Sequence, residues 1–352
     1  MRKLVLLVCI LWVLTAVAPA VLLRGRKAET PHIPAPKHEE ENTAEETPSV
    51  PLQPCLDEGV TVEVMVAGEE NSFSLDHYLI GVLAAEMPAS FPEAALRAQA
   101  IAARSFILFR MSNPPRDGVH DGVPLCDDPS HCKAYRNTAD EETAKMLFGR
   151  DWETALSKLR AAVADTDGIV LTYEGEAALA AFHAISGGRT ESAEDVWGEV
   201  VPYLIEVESP GEESAVKYQE TVTFDSGALR ETLEATWRGT VLPEDPEEWL
   251  TNIERTHAGM IKSALLGGIP VNGMELRQLL NLNSADFTLT SRGDTVEITT
   301  TGYGHGVGMS QYGARAMALS GSDWREILLH YYPGCTLSRL EGEKPLATGV
   351  EK

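Results

Sequence analysis

Basic residues are scarce in this chain of 352 residues. Its 29 lysines and arginines stand against 53 aspartates and glutamates, which gives a formal net charge of −24. A nucleic-acid-binding protein needs a basic face to hold the phosphate backbone, so this composition argues against a nucleic-acid partner. Cysteine is also scarce: one of the five, Cys9, lies in an apolar run, and the other four form no obvious disulfide ladder.

Nucleotide-binding and repeat signals are missing as well. The chain has 29 glycines but no G-x-x-x-x-G-K-[ST] phosphate-binding pattern, and it shows no internal repeat. Apolar residues make up 43% of the chain, an ordinary share for a globular protein. The length is sufficient to bury a substantial core in one large domain or two.

A long hydrophobic run lies at the N-terminus. After Arg2 and Lys3, the stretch "LVLLVCILWVLTAVAPAVLL" continues to Leu23, and twenty helical residues span about 30 Å, enough for a bilayer core. Residues 1–27 are therefore predicted to form an N-terminal membrane anchor with one transmembrane helix. The alternative is a signal peptide cleaved near "AVAPA". Both interpretations place the rest of the chain outside the cytoplasm.

Residues 28–56 are rich in proline and glutamate and poor in large apolar side chains. Such a stretch cannot bury enough apolar surface to offset the entropy lost on ordering. It is predicted to be a disordered linker that tethers the exported domain to the membrane. Residues 57–340 are predicted to form that domain.

Alternating and amphipathic patterns predict both strands and helices in the exported domain. Strands are predicted for "VTVEVMV", "GIVLTYEG", "ALAAFHAI", "YLIEVES", "YQETVTF", "FTLTSRG" and "TVEITTT". Helices are predicted from about Ser74 to Met87, from a cap at Ser90 to about Arg110, and for "DWETALSKLRAAVA", "SGALRETLEATWR", "GMELRQLLNL" and "DWREILLHYY", the last two with caps at Asn272 and Ser322. The mixture lacks regular βαβ alternation, so an α+β fold is expected.

A single carboxylate extends the apolar stripe of the first predicted helix. The stripe recurs at helical spacing and consists of Tyr78, Leu79, Val82, Leu83 and Glu86. Pro88 places Glu86 at the C-terminal end of the helix. Burial and the negative end of the helix dipole both disfavour an ionised carboxylate, so Glu86 is expected to keep a proton, as a general acid must. The alternative is a structural ion pair with Arg97 or Arg104 on the next helix.

Four potential metal ligands fall within the stretch "HDGVPLCDDPSHC": His120, Cys126, His131 and Cys132. Two thiolates and two imidazoles are a ligand set for tetrahedral zinc, although the spacing differs from that of a zinc finger. A Cys126–Cys132 disulfide is an equally good interpretation of these residues in an oxidising compartment.

Two further segments place polar groups beside glycine turns. In "GYGHGVGMSQYGA" the glycines allow close approach of a ligand to the backbone, and a helix beginning near Met309 would expose Ser310 and Gln311. The alternative for this segment is tight backbone packing, with His305 as a buried core group. In "AISGGRTESAEDVW" the chain turns sharply after a strand.

Several ordered segments resemble the stage II sporulation protein D family, whose members are membrane-anchored peptidoglycan lytic transglycosylases of endospore-forming bacteria. They are "YLIGVLAAEMPASFPEAALRAQAIAARSF", "HDGVPLCDDPSHCKAY", "FHAISGGRTESAEDVWG", "PYLIEVESP", "ELRQLLNLNSADF" and "GYGHGVGMSQYGARAMALSGSDWREILLHYYPG". The resemblance covers most of the chain from about residue 60 to residue 336. The expected fold is then two lobes of helices and antiparallel strands around a glycan-binding groove.

The resemblance implies that Glu86 is the catalytic residue and that zinc is held structurally by the His/Cys cluster. Arg97 stands where the family is expected to have lysine, which keeps the charge. The candidate substrate-binding residues are Arg97, Gln99, Arg104, Ser186, Gly187, Arg189, His305, Ser310, Gln311 and Tyr312.

The resemblance also implies a setting and partners. The setting is engulfment during endospore formation, with the domain in the septal space outside the cytoplasm. The substrate would be peptidoglycan glycan strands stripped of stem peptides. The partners would be a cell-wall amidase–endopeptidase and a polytopic membrane protein. The main alternative is a non-catalytic peptidoglycan binder that enhances an amidase, as some relatives do. A plain hydrolase is less favoured, because it would need a second carboxylate near Glu86.

Overall fold

A computed structural model describes residues 56–115, 120, 122–129 and 131–340. The predicted membrane anchor, residues 1–27, and all but the last residue of the predicted linker, residues 28–56, lie outside this part of the chain. Within the described ranges, no helix combines the length and the apolar character needed to cross a bilayer.

Helices and short strands alternate irregularly along the chain. The helices are α1 (Leu75–Glu86), α2 (Glu93–Ser112), α3 (Glu141–Phe148), α4 (Trp152–Ala164), α5 (Ala193–Trp197), α6 (Ser226–Thr236), α7 (Gly273–Leu280), α8 (Gln311–Leu319) and α9 (Trp324–Tyr331). The strands are β1 (Thr61–Val66), β2 (Glu69–Ser74), β3 (Leu125–Cys126), β4 (Ile169–Tyr173), β5 (Glu176–Ala177), β6 (Phe182–His183), β7 (Gln219–Asp225), β8 (Leu250–Arg255), β9 (Ile261–Leu266), β10 (Ile269–Val271), β11 (Phe287–Arg292), β12 (Thr295–Thr301), β13 (Met309–Ser310) and β14 (Thr336–Arg339).

The sheets are small and mostly antiparallel. Strands β8, β9 and β10 form one antiparallel sheet, β7, β12 and β11 form a second, and β5, β4 and β14 form a third. Strand β1 pairs antiparallel with β2 and parallel with β3. The short strands β6 and β13 are parallel neighbours. Helices mixed with separate antiparallel sheets confirm the α+β class.

Two hydrophobic cores organise the described residues. The first is built on α1 and α2, with β1, β4, α9 and the segment around β13 packed against them. The second is built from α6, α7 and strands β9, β11 and β12, around the fully buried Trp249. The first core continues beyond β6 through Ala193, Tyr203 and Leu204; the chain then builds the second core and returns to the first at Val307. The expected arrangement of two lobes around a groove stays a prediction.

Most helix ends follow local sequence rules, with two corrections. Helix α7 begins at the predicted cap Asn272, which forms a capping box with Glu275. Ser90 does not cap α2: the residue before that helix is Pro92, and no side chain caps it. Asp323, not Ser322, caps α9, because a carboxylate there accepts two backbone N–H groups of the first turn.

Two of the predicted strands are shortened or absent in the structure. The stretch "ALAAFHAI" keeps only the two residues of β6 in a strand. The stretch "YLIEVES" forms no strand, because its backbone bonds irregularly to the chain before α5. The amide of Thr190 donates to the carbonyl of Val207, and the amide of Ala193 donates to the carbonyl of Leu204. The sequence patterns also missed β2, the β8–β10 sheet and helix α3.

Arg104 forms an ion pair inside the first core. Its side chain is fully buried, its Nη2 lies 2.6 Å from Asp57 Oδ2, and the Asp57 side chain is 1% exposed. The guanidinium also donates to the Ile169 carbonyl and to the Thr166 hydroxyl. These contacts anchor the start of the described chain to α2 and β4. They also correct the prediction that Arg104 binds substrate, because its guanidinium has no access to a surface.

The Arg104–Asp57 pair yields a stability prediction. Replacing Arg104 with alanine leaves a buried carboxylate without its cation, so we expect the free energy of unfolding to fall by about 3–5 kcal/mol. Arg97→Ala is the control: Arg97 pairs with the partly exposed Glu93 and Asp165, and its loss should cost at most about 1 kcal/mol. Urea denaturation measures both values, and equal losses would contradict the prediction.

Candidate active site

Glu86 is the last residue of α1. The helix buries Tyr78, Leu79, Val82 and Leu83 completely, as the apolar stripe predicts. Met87 then adopts an extended backbone conformation ahead of Pro88 and ends the helix. Glu86 is half-buried at this end. The predicted position of the carboxylate, at the end of a buried stripe, is confirmed.

Two donors hold the Glu86 carboxylate. The backbone amide of Ala134 donates to Oε1 at 3.1 Å, and the side-chain amide of Gln311 donates to Oε2 at 3.4 Å. Arg97 and Arg104 have other carboxylate partners, so the alternative of a structural ion pair between Glu86 and α2 is wrong in this structure. The setting is not purely apolar, because polar groups from two distant segments converge on this carboxylate.

Lys133 lies beside Glu86 in an aromatic enclosure. The residue is 6% exposed, and its Nζ stands 3.6 Å from the ring centre of Phe182 and 4.5 Å from that of Phe106. Burial lowers the pKa of Lys133 to about 8, and the nearby Glu86 carboxylate opposes that shift. A cation thus lies next to the candidate acid.

Three rings form a row beside this pair. The ring centre of His305 lies 5.7 Å from that of His183 and 5.4 Å from that of Trp197. His183 is bonded to the Val307 carbonyl, and burial lowers its pKa to about 4. Burial also lowers the pKa of His305, whose Nδ1 accepts the Val307 amide proton. Both imidazoles are therefore neutral near pH 7. The indole of Trp197 is 40% exposed at the outer end of the row.

The glycine-rich segment brings Gln311 to Glu86 by close backbone packing. Met309 and Ser310 pair in parallel with Phe182 and His183, and α8 begins directly afterwards. Gly308 has a φ of +73°, and a Cβ atom there would lie 2.0 Å from the Ala181 carbonyl oxygen. Only glycine fits this position. The predicted exposure of Ser310 and Gln311 is wrong, since both are buried.

A buried carboxylate holds the two serines that were predicted to contact substrate. Glu212 is 1% exposed and accepts hydrogen bonds from the hydroxyls of Ser186, Ser209 and Ser310. Burial raises the pKa of Glu212, and these donors partly offset the shift. The hydroxyls of Ser186 and Ser310 therefore point inward. This corrects their assignment as substrate contacts: they join the "SGG" turn to the start of α8.

The remaining predicted binding residues are scattered. Gln99 is fully buried in α2, and neither of its amide atoms has a hydrogen-bond partner among the described residues. Arg97 lines an open cleft of about 590 Å³ between α2 and α4, and Glu86 is not part of that lining. Arg189 pairs with Glu206 and Glu208. Gly187 lines a small cavity beside Asp286.

Tyr312 is the exception among these residues, because it follows Gln311 directly. Its half-buried ring packs edge-on against Phe91, with 5.0 Å between ring centres. Of the ten predicted binding residues, the structure therefore links Gln311 directly to Glu86, keeps Tyr312 and His305 nearby, and engages Arg104, Ser186 and Ser310 in internal bonds.

The four predicted metal ligands come together. Their ligand atoms all lie within 4.8 Å of one another. The Cys132 sulfur is 3.5 Å from His120 Nε2 and 3.7 Å from His131 Nδ1, and the Cys126 sulfur is 3.6 Å from His131 Nδ1. Tetrahedral zinc with sulfur and nitrogen ligands needs separations of roughly 3.3–3.8 Å. The two imidazole nitrogens are closer, at 2.7 Å. Cys126 and Cys132 are not joined in a disulfide.

One short segment connects the metal-ligand cluster to the carboxylate. His131 and Cys132 belong to the cluster, the next residue is Lys133, and the residue after it supplies the amide that holds Glu86. Whatever fixes Cys132 therefore also fixes the two groups that contact or approach Glu86.

Sequence patterns missed four residues of this region: Lys133, His183, Trp197 and Arg277. All four lie within the longer segments that resemble the family, but no local spacing distinguishes them from their neighbours. For Trp197 the available signal was a tryptophan without apolar periodicity after the "SGG" turn. Arg277 is discussed below.

Comparisons with known proteins match the part of the chain that contains the candidate site. The family described as "Stage II sporulation protein" matches residues 67–173, a range that contains Glu86 and the four clustered His and Cys residues. The chain is 39% identical over 268 residues to the stage II sporulation protein D of Bacillus subtilis (strain 168), covering 76% of this chain and 75% of that protein.

Two further relatives extend the comparison. The chain is 36% identical over 350 residues to the stage II sporulation protein D of Bacillus amyloliquefaciens, covering 97% of both proteins. It is also 27% identical over 310 residues to an amidase enhancer of Bacillus subtilis (strain 168), covering 74% of this chain and 40% of that protein.

Buried His183 makes stability depend on pH. Its pKa falls from an ordinary 6.5 to about 4 in the folded protein, where Lys133, Arg277 and His305 surround it. Below pH 6.5 the unfolded chain takes up a proton that the folded protein refuses, so stability falls as the pH drops towards 4. Between pH 7 and 4.5 we expect this group to account for a loss of about 2–3 kcal/mol.

The His183→Asn variant tests this expectation, because asparagine can still donate to the Val307 carbonyl. Urea denaturation of both proteins at several pH values gives the two profiles. The variant should lose about 2–3 kcal/mol less than the wild type over this range. Parallel profiles would show that His183 is not responsible.

Proposed function

Because the chain belongs to the stage II sporulation protein D family, we propose that it is a peptidoglycan lytic transglycosylase. It cleaves the bond between N-acetylmuramic acid and N-acetylglucosamine in glycan strands during engulfment. One observation carries the proposal: a half-buried carboxylate, Glu86, is held at a helix end by donors from two distant segments and lies beside a buried lysine.

The chemistry requires one residue that gives and then takes a proton. Protonated Glu86 donates its proton to the glycosidic oxygen as the bond from that oxygen to C1 of the muramic acid ring breaks. The C6 hydroxyl of the same ring then attacks C1, and the Glu86 carboxylate removes the hydroxyl proton. A 1,6-anhydro ring forms, no water is consumed, and Glu86 regains its proton. Between the two steps, the Lys133 ammonium and the Ala134 amide stabilise the carboxylate.

Other buried carboxylates of this region are already engaged. Glu212 accepts three seryl hydroxyls, and Glu191, 2% exposed, accepts the Thr256 hydroxyl and the Met260 amide. A hydrolase needs a second carboxylate that can activate water or form a covalent intermediate. Neither of these groups has the required exposure, which supports an anhydro product.

Glu86→Gln keeps the shape of the side chain but removes the transferable proton. We expect it to lower the rate of strand cleavage at least about 100-fold on glycan strands without stem peptides. The control is Glu93→Gln, which changes an exposed glutamate on α2 and should leave the rate unchanged. Mass spectrometry of wild-type products should show fragments lighter by one water than hydrolysis products. Anhydro fragments formed by Glu86→Gln at the wild-type rate would refute the assignment.

The same experiment decides the main alternative. The similarity to an amidase enhancer keeps a non-catalytic binder in consideration. A binder would release no fragments from denuded strands, but would raise the rate of an added cell-wall amidase. A Glu86→Gln protein that still raised that rate, beside a wild type that released no fragments, would favour this second function.

We further propose that His120, Cys126, His131 and Cys132 bind one zinc ion. The donor set and the three sulfur–nitrogen separations of 3.5–3.7 Å support tetrahedral zinc, although the two imidazole nitrogens, 2.7 Å apart, would have to separate to accept the ion. Four protein ligands leave no position for substrate or water. The ion would supply folding stability and hold the segment that carries Lys133 and Ala134.

Metal analysis tests this site. Purified protein should contain about one zinc per chain, and Cys132→Ser should lose the metal, lower the melting temperature and lower cleavage activity. Cys335→Ser is the matched control, because Cys335 is a buried free cysteine outside the cluster. Metal-free protein with a Cys126–Cys132 disulfide, seen as a loss of two hydrogens in intact mass, would contradict the proposal.

The expected location and partners complete the proposal. A single N-terminal membrane segment and a linker would keep the enzyme on the membrane that moves around the forespore. An amidase–endopeptidase would strip the stem peptides first, and a polytopic membrane protein would hold the two enzymes together. Membrane fractionation of sporulating cells and co-purification from solubilised membranes test these expectations.

A further inference from the structure

Arg277 reaches from the second core to the loop that carries His305. It lies on α7, next to Leu276, which is buried in the second core. Its Nε donates to the Asn283 carbonyl at 3.1 Å, and the same carbonyl accepts the Gly304 amide at 2.9 Å. One oxygen atom therefore joins the arginine to the loop between Tyr303 and His305.

The guanidinium of Arg277 lacks an anionic partner. Among the described residues, no carboxylate lies within ion-pair distance of it, and its two terminal nitrogens donate to no described group. The terminal nitrogens are accessible to solvent: Arg277 is half-buried, and none of its nitrogen atoms is both buried and without a hydrogen bond. Two other arginines, Arg189 and Arg255, both pair with carboxylates.

The position of this cation relates it to the candidate active site. Arg277 is close enough to His183 and His305 to help keep both imidazoles neutral. His305 also contacts the exposed Trp197, and both imidazoles are close enough to Lys133 to be affected by its charge. In a chain of net charge −24, a partly buried guanidinium without an internal partner is a ready site for an external anion.

We propose that Arg277 binds the lactyl carboxylate of a muramic acid residue in a stripped glycan strand. The inference rests on the proposed function. Hydrolysis of the amide between the lactyl group and the stem peptide frees one carboxylate for each disaccharide. A strand that still carries its peptides has a neutral amide at that position. Because a guanidinium binds a carboxylate through two parallel hydrogen bonds, Arg277 would select strands from which peptides have been removed.

Binding to two forms of one glycan tests the assignment. Both proteins carry Glu86→Gln, so that the strands stay intact, and one also carries Arg277→Gln. The ligands are denuded strands and the same strands with their lactyl carboxylates converted to methyl esters. Arg277→Gln should raise the dissociation constant for the carboxylate form about tenfold or more and leave that for the ester form unchanged. Arg277→Lys should restore only part of the loss.

Arg292→Gln is the control for charge and folding, because Arg292 is an exposed arginine of the second core region that pairs with Glu297. It should bind both ligands like the parent, and melting temperatures should show that every variant is folded. Equal binding by Arg277→Gln and its parent, or an equal loss for both ligands, would overturn the inference. Cleavage by the wild type is scored separately. Binding that depends on Arg277, without cleavage by the wild type, would contradict the proposed activity alone. Cleavage by the wild type, with binding that does not depend on Arg277, would contradict only this inference.

Discussion

The hydrogen bond from the Ala134 amide to Glu86 is the contact on which the candidate site depends. A carboxylate at the end of a helix has rotational freedom, and a backbone donor restricts it at little entropic cost. That donor lies two residues after Cys132, which is packed with three other potential ligands. The same short segment also delivers the Lys133 ammonium. Folding of the His/Cys cluster therefore also affects the positions of the groups around Glu86.

The second constraint is that every polar group buried in these networks needs a partner. Arg104 with Asp57, and Glu212 with its three seryl hydroxyls, are polar groups inside a protein, and each is stable because its partners are complete. These networks tie remote stretches together: the start of the described chain to α2, and the "SGG" turn to α8. They fix the frame around Glu86 through internal contacts alone.

Sequence reasoning succeeded where the determining interactions are local. The apolar stripe and Pro88 suffice to place Glu86, and four potential ligands within thirteen residues suffice to predict a cluster. It failed where a partner is distant. In the sequence, Arg104, Ser186 and Ser310 have the character of surface binding groups. The structure shows that Asp57 pairs with Arg104 and that Glu212 binds both serines. Lys133, Trp197 and Arg277 were missed for the same reason, since their importance comes from neighbours that no spacing rule relates to them.

The insertion of the second core between β6 and β13 has a kinetic consequence. Gln311 and Glu86 are 225 positions apart, and His183 is 124 positions from the carbonyl that it contacts. Pairings that close such long loops form late in folding, because the loss of chain entropy precedes the gain of contacts. A nascent or half-folded molecule therefore lacks the Gln311 contact to Glu86 until the segment around β13 has docked. Under the proposed function, the enzyme would acquire its complete active site only at the end of folding.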